Sequence, residues 1–321
     1  MRFCTQEKNF SILTVDPTFC LGEFDVTPMS YLHTLLQSRR TGHSPVFVRP
    51  VMIRYRKTFA TYLFASSIVG LRPELGGVQA FGTDGEESLA KAFSHTFSCG
   101  LHLTCFIHMR RNIKRELSDQ GLDTFSQNQI LDDIFGHQVG SVRRKGLVDC
   151  SSVTEFRDKL QGCKAVWDSI EKNSPASVGG FYGWFVKYKC QLIEESMLKG
   201  VRELAHLGSP PAEFYTNSCE SINAIIKAKV SHKKSDLPHF LDETKGLIDE
   251  LEREIEHAVL RRGKYELQSE YKHLAVAESR WFRKTEQQRK QHLQRISLTN
   301  VVCLTADTTP FGNERSSTGK T

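Results

Sequence analysis

The sequence predicts an α/β protein: a mixed sheet with helices, interrupted by an all-helical insertion and followed by C-terminal helices. Three observations carry this expectation. Up to about residue 108 short β-rich runs alternate with helical ones, from His108 the strand signal almost vanishes, and Leu237 to Arg295 is long, charged, mostly helical text. With 321 residues and 39% hydrophobic content, the chain can bury a substantial core. No apolar run reaches membrane-spanning length, and the opening MRFCTQEKNF lacks the pattern of a secretory signal. Nine cysteines with no CxxC pair do not read as a disulfide framework and fit a reducing compartment. The net charge of +6 favours polyanionic partners without requiring them.

Taken in order, FSILTVDPTF, GEFDVTPMSYLHTLL and SPVFVRPVMIRY are three β-rich runs separated by turn material, which suggests an antiparallel meander. RKTFATYLFASSIVGL follows with apolar residues at helical spacing, then GVQAFGTD as a strand, EESLAKAFSHTF as a helix and LHLTCFIH as a further strand. MRRNIKRELSDQ, SVTEFRDKLQGCKAVWDSIEK and WFVKYKCQLIEESMLKGVREL read as helices, punctuated by the loops SPASVGG and LGSPPAEF. The tail TADTTPFGNERSSTGKT has a disordered composition.

Three acids stand at chemically suggestive places. Asp16 ends the first apolar run, where Asp-Pro also serves as an ordinary strand-ending turn. Asp84 ends the strand AFGTD between Gly82 and Gly85, where it could equally cap the next helix with Glu87 completing a capping box. Glu220 lies among Thr216, Asn217, Ser218, Ser221 and Asn223, where a first-turn glutamate also suits the helix dipole. If the first strand is central, Asp16 and Asp84 converge at neighbouring strand ends. Clustered carboxylates require a proton or a hard cation between them, and an all-oxygen set suits Mg²⁺ or Mn²⁺ in two-metal phosphoryl transfer.

The text carrying these acids, VDPTF, TDGEESLAKAF, CFIHMRRNIKREL and YTNSCESINAIIK, resembles the transposase domain of Mutator-like elements, a DDE transposase with an RNase H-like fold. The resemblance covers most of residues 10 to 240. It implies that Asp16, Asp84 and Glu220 are catalytic and hold the metal ions, with a helical insertion before the glutamate and a Cys-x2-His pair, Cys105 and His108, after the second Asp. It further implies a core at 1–118 and 208–235, an insertion at 119–207, a C-terminal helical region at 236–296 and a disordered tail at 297–321. The partner that the resemblance implies is DNA and the implied location is nuclear, with self-association left open. Only fifteen residues precede Asp16 and the tail after Arg295 holds no histidine, so the expectation is an isolated catalytic core.

Cys99, His102, Cys105 and His108 recur every third residue, but side chains alternate along a strand, so His102 and Cys105 cannot share one ion. Cys105 with His108 remains as an accessory pair, and buried packing is an equal reading for it. Arg110, Arg111, Lys114 and Arg115 follow, with 111, 114 and 115 on one helical face that would bind DNA backbone beside a cleavage centre. Lys227 and Lys229, then Lys233 and Lys234, form a second strip, and the segment 253–295 with Trp281 and Phe282 either contacts DNA or packs as partner helices. The expected function is DNA cleavage and strand transfer. The alternatives are a domesticated DNA-binding protein without catalysis and a nuclease of the same fold.

Overall fold

In the computed structural model the chain is described over residues 2–5, 10–18, 21–54, 58–140, 142–231, 234–294 and 296. A five-stranded mixed sheet is built from β1 (Leu13–Val15), β2 (Asp25–Leu32), β4 (Val46–Arg54), β5 (Ala80–Thr83) and β6 (Leu101–Thr104), in the order β4-β2-β1-β5-β6. β1, β2 and β4 pair antiparallel, as the meander reading expects, while β5 and β6 run parallel to β1. The short strand β3 (Leu36–Ser38) leaves this sheet.

The Asp-Pro turn does not exist. β1 pairs with β2 at Thr14 with Ser30 and Val15 with Met29, and the same register resumes at Thr18 with Val26. The chain therefore runs straight through Asp16 and Pro17. Pro17, and Pro28 opposite Asp16, have no N–H to donate, so the ladder opens at the acid without the strand turning.

Between β4 and β5 the expected single helix is broken into α1 (Phe59–Tyr62), a 3-10 turn and α2 (Ser66–Leu71). After β5 the chain turns into α3 (Glu87–Thr96), whose Leu89, Ala92 and Phe93 are buried. One sheet face is Leu13, Val15, Met29, Tyr31 and Phe81, packed with Phe93, Phe97, Val259 and Trp281. Its other face meets α10 (Asn217–Lys229) and α11 (Leu237–Val259), through Val26, Val48, Ile222, Ile226 and Phe240.

α4 (Phe106–Asp119) joins the sheet to the insertion. Phe106, Met109, Ile113 and Leu117 recur at helical spacing and enter a second core with α5 (Thr124–Phe135), α6 (Val153–Lys172) and α7 (Phe181–Tyr188), centred on buried Trp167. α8 (Cys190–Ser196) and α9 (Lys199–Leu204) return the chain to β6. The insertion is not all-helical: β7 (His137–Val139) and β8 (Val142–Arg144) form a hairpin, too short and polar to show a period-two pattern. The C-terminal region also departs from pure helix, since β9 (Tyr265–Leu267) pairs with β3 before α12 (Glu278–Phe282) and a helical run at 286–294. Trp281 is fully buried, its indole N–H donating to Glu256 Oε1 at 2.7 Å, so this segment packs on the core. The expected tail at 297–321 lies outside the described residues. Among the described residues no helix is long and apolar enough to cross a membrane.

Candidate active site

The strand register lines up three sequence-predicted residues. β1 pairs with β5 at Leu13 with Phe81 and Thr14 with Gly82, and that offset also separates Asp16 from Asp84. β5 pairs with β6 at Gly82 with Leu103 and Thr83 with Thr104, which extends to Asp84 with Cys105. Asp16, Asp84 and Cys105 thus succeed one another at the carboxyl edge of three parallel strands, on the face shared by Thr14 and Gly82.

Asp16 is buried, 8% exposed, and its carboxyl is pushed up to about 7. Burial is the larger cause, followed by the negative charge of Asp84, with Glu220 adding to it and His108 and Lys227 opposing it. Five residues singled out in the sequence therefore share one electrostatic neighbourhood. Asn223, one turn beyond Glu220, donates from Nδ2 to Asp16 Oδ2 at 3.3 Å and to its main-chain oxygen at 3.4 Å. Its own Oδ1 is buried without a partner among the described residues.

Asp84 is half-buried, and its Oδ1 accepts the Glu86 N–H at 2.9 Å. It is not the helix cap, because α3 begins at Glu87 with Glu86 in the capping position. Gly85 holds φ at +90°, a conformation that suits glycine and lets the chain turn directly behind the acid. Glu220 lies in the first turn of α10 and is exposed.

α10 is held over the sheet by its buried flank. The Cys219 thiol donates to Thr14 O at 3.1 Å and lies 3.0 Å from Ser30 Oγ. Just before it, Phe214 crosses β5, where a Cβ on Gly82 would lie 2.0 Å from the ring. A glycine inside a strand is the sequence signal for such a close approach. Phe106 N–H donates to Phe214 O at 3.0 Å, which fixes the segment against the start of α4.

β6 ends at Thr104, earlier than the run LHLTCFIH suggests: Cys105 N–H makes one more bond to Thr83 O of β5, and α4 starts at the next residue, Phe106. Cys105 and buried Thr216 meet there, with Thr216 Oγ1 3.5 Å from both Cys105 Sγ and His108 Nδ1. Burial pushes the Cys105 thiol up, but hydrogen bonds to His108 and Thr216 outweigh it and leave its pKa below the ordinary thiol value. His108 is raised by its bond to Cys105 against the opposing effect of burial, with Asp16 and Asp84 adding their charge. His102 sits on the opposite sheet face, stacked on Phe81 with its Nε2 2.8 Å from Thr83 Oγ1, as strand alternation requires.

The basic residues divide. Arg111, Lys114 and Arg115 are exposed on the face of α4 away from its apolar stripe, with no ion pair among the described residues. Arg110 pairs with Asp132 at 3.7 Å and lies over Phe135. Lys227 is near enough to act on Asp16, whereas Lys229 bonds Glu250 of α11 at 2.7 Å and is drawn away. Lys234 is exposed, and Lys233 lies outside the described residues.

Among the described residues no three His, Cys, Asp or Glu side chains stand close enough to hold one metal ion. No protein-family model and no curated protein matches this chain.

Proposed function

We propose that the chain is a metal-dependent phosphoryl-transfer enzyme acting on DNA, a transposase of the Mutator-like type with an RNase H-like core and a nuclear location. One observation carries the reading: a buried carboxyl at a strand end, pushed to about 7 by burial and by the charges of two further acids. Catalytic sites are where such clustered, perturbed carboxylates concentrate.

Asp16, Asp84 and Glu220 supply only oxygen, the donor type a hard dication takes, and Asp84 and Glu220 add negative charge at Asp16 against that of His108 and Lys227. These three residues would hold Mg²⁺ or Mn²⁺, which supplies an activated attacking oxygen and stabilises the leaving one. Asn223 fixes the orientation of Asp16 from α10. His108, whose bond to Cys105 and the charges of Asp16 and Asp84 favour its cationic form against burial, stands at the edge where a phosphate would approach. The exposed face of Arg111, Lys114 and Arg115 would bind the DNA backbone.

The ungrouped acids, with Glu220 exposed, favour a second reading: a DNA-binding protein of the same descent that no longer cleaves. Incubation with supercoiled plasmid and short duplexes under Mg²⁺ or Mn²⁺ separates the two. Nicking or joining supports the enzyme, and binding without either supports the second reading.

The DNA path has its own test. Replacing Arg111, Lys114 and Arg115 together by Ala should weaken duplex binding similarly for every sequence and flatten the dependence of log affinity on log salt by about 0.9 per lost phosphate contact. Fluorescence anisotropy at several salt concentrations measures it. An unchanged slope moves the path to Lys227 and Lys234.

A further inference from the structure

A pocket of about 300 Å³ is lined by residues of the segments that carry Asp16 and Glu220, and nothing in the chemistry above uses it. Thr14, two residues before Asp16 on the same sheet face, lines it, together with Ser218 in the first turn of α10. Phe10, His206 and Tyr215 contribute rings, with Phe10 and His206 packed edge to face at 5.5 Å. Ser11 sits at the margin with its hydroxyl engaged by Leu32 N–H at 2.8 Å. The pocket is thus walled by aromatic rings and by the aliphatic Ile12, Leu32 and Leu207, with the hydroxyls of Thr14, Tyr215 and Ser218 among its polar groups.

We infer that this pocket receives one unpaired nucleobase of the DNA strand held at the acids. The inference rests on the DNA reading above. A flat heteroaromatic ring with a polar edge matches ring walls with hydroxyls among them, and bases stack on aromatic side chains without regard to sequence. Continuity along β1 picks the occupant: Thr14 stands two residues, about 7 Å of extended strand, from Asp16 on the same face, so a base beside a phosphate bound at Asp16 is the group within reach. The base must leave its pair to enter, at a cost of roughly a few kcal/mol that a mismatch has already met.

The test compares a fully paired duplex with one carrying a single mismatched 2-aminopurine, with Mg²⁺ present. The wild type should bind the mismatched duplex about tenfold more tightly, as expected when part of the unpairing cost is removed, with a change in 2-aminopurine emission. Phe10→Ala/Tyr215→Ala should lose the preference and the emission change while keeping its affinity for paired duplex, which also shows that the variant is folded. Tyr215→Phe should retain both. Equal affinities for the two duplexes in the wild type, or a preference that survives in the double variant, overturns the pocket assignment and leaves the DNA reading standing. Failure of the wild type to bind either duplex overturns both.

Discussion

Asp16→Asn should stabilise the metal-free protein above neutral pH and abolish the metal-dependent DNA cleavage proposed above. The folded carboxyl titrates near about 7, against roughly 3.9 for an ordinary aspartate. With the folded value raised, the stabilising contribution is fully present below about pH 4 and is lost as pH rises through about 7. A shift of this size corresponds to about 4 kcal/mol by the conversion of about 1.4 kcal/mol per pH unit. Asn223 can donate to the amide oxygen of the variant as it does to Asp16 Oδ2, so the substitution keeps the local geometry. Thermal melts in EDTA from pH 5 to 9 should therefore show a wild-type decline that the variant lacks. Parallel curves would mean that the acid is not held in the repulsive field described here. Mg²⁺ should raise the wild-type midpoint, since a ligand that binds only the folded state stabilises it. In the cleavage assay the loss should exceed the roughly 10–100-fold expected for removing a supporting partner, the effect anticipated for Asn223→Ala.

The largest loss of stability is expected at Arg202. Its guanidinium is 2% exposed, lies over the Phe106 ring and donates to Met197 O, Pro211 O, Ala212 O, Val148 O and Asp149 Oδ1 at 2.9–3.4 Å. It ties α9, the 147–149 turn and the start of α4 to the segment that leads into Phe214 and α10. Arg202→Ala leaves these acceptors buried without a donor, and cutting a buried charged network in this way costs about 3–5 kcal/mol. Urea unfolding followed by tryptophan fluorescence measures it, with Trp167 in the neighbouring core as a reporter. A loss below about 1 kcal/mol, typical of surface substitutions, would show that the network is dispensable. Because the same segment delivers Thr216 and Glu220, the proposed DNA cleavage should fall with stability.

Much of the sheet was readable because β-branched and apolar runs broken by Pro, Gly and Asp leave a strong local signal. The acids were readable for the same reason, since each ends such a run or begins a helix. The path of the chain at Asp16 was not, because Asp-Pro locally resembles a turn and only pairing of Thr18 with Val26 reveals that the strand continues. The hairpin at 137–144 and the pairing of β3 with β9 depend on partners distant in sequence or on residues without alternation, which no local pattern carries. Arg202 was missed because a lone arginine in a polar helix looks like a solvated one. Its burial follows from carbonyls supplied by three separate segments. Cys219 and Phe214 escaped for a related reason: their importance lies in how closely they approach β1 and β5, and only Gly82 hinted at it.

Titrating Mn²⁺ into the wild type and into Asp16→Asn, Asp84→Asn and Glu220→Gln, with bound ion followed by electron paramagnetic resonance, tests most directly whether these three acids form one cation-holding site. Binding by the wild type that each single substitution weakens by an order of magnitude or more is the expected result. A wild type that binds no Mn²⁺, or three variants that bind it as tightly as the wild type does, would contradict the account.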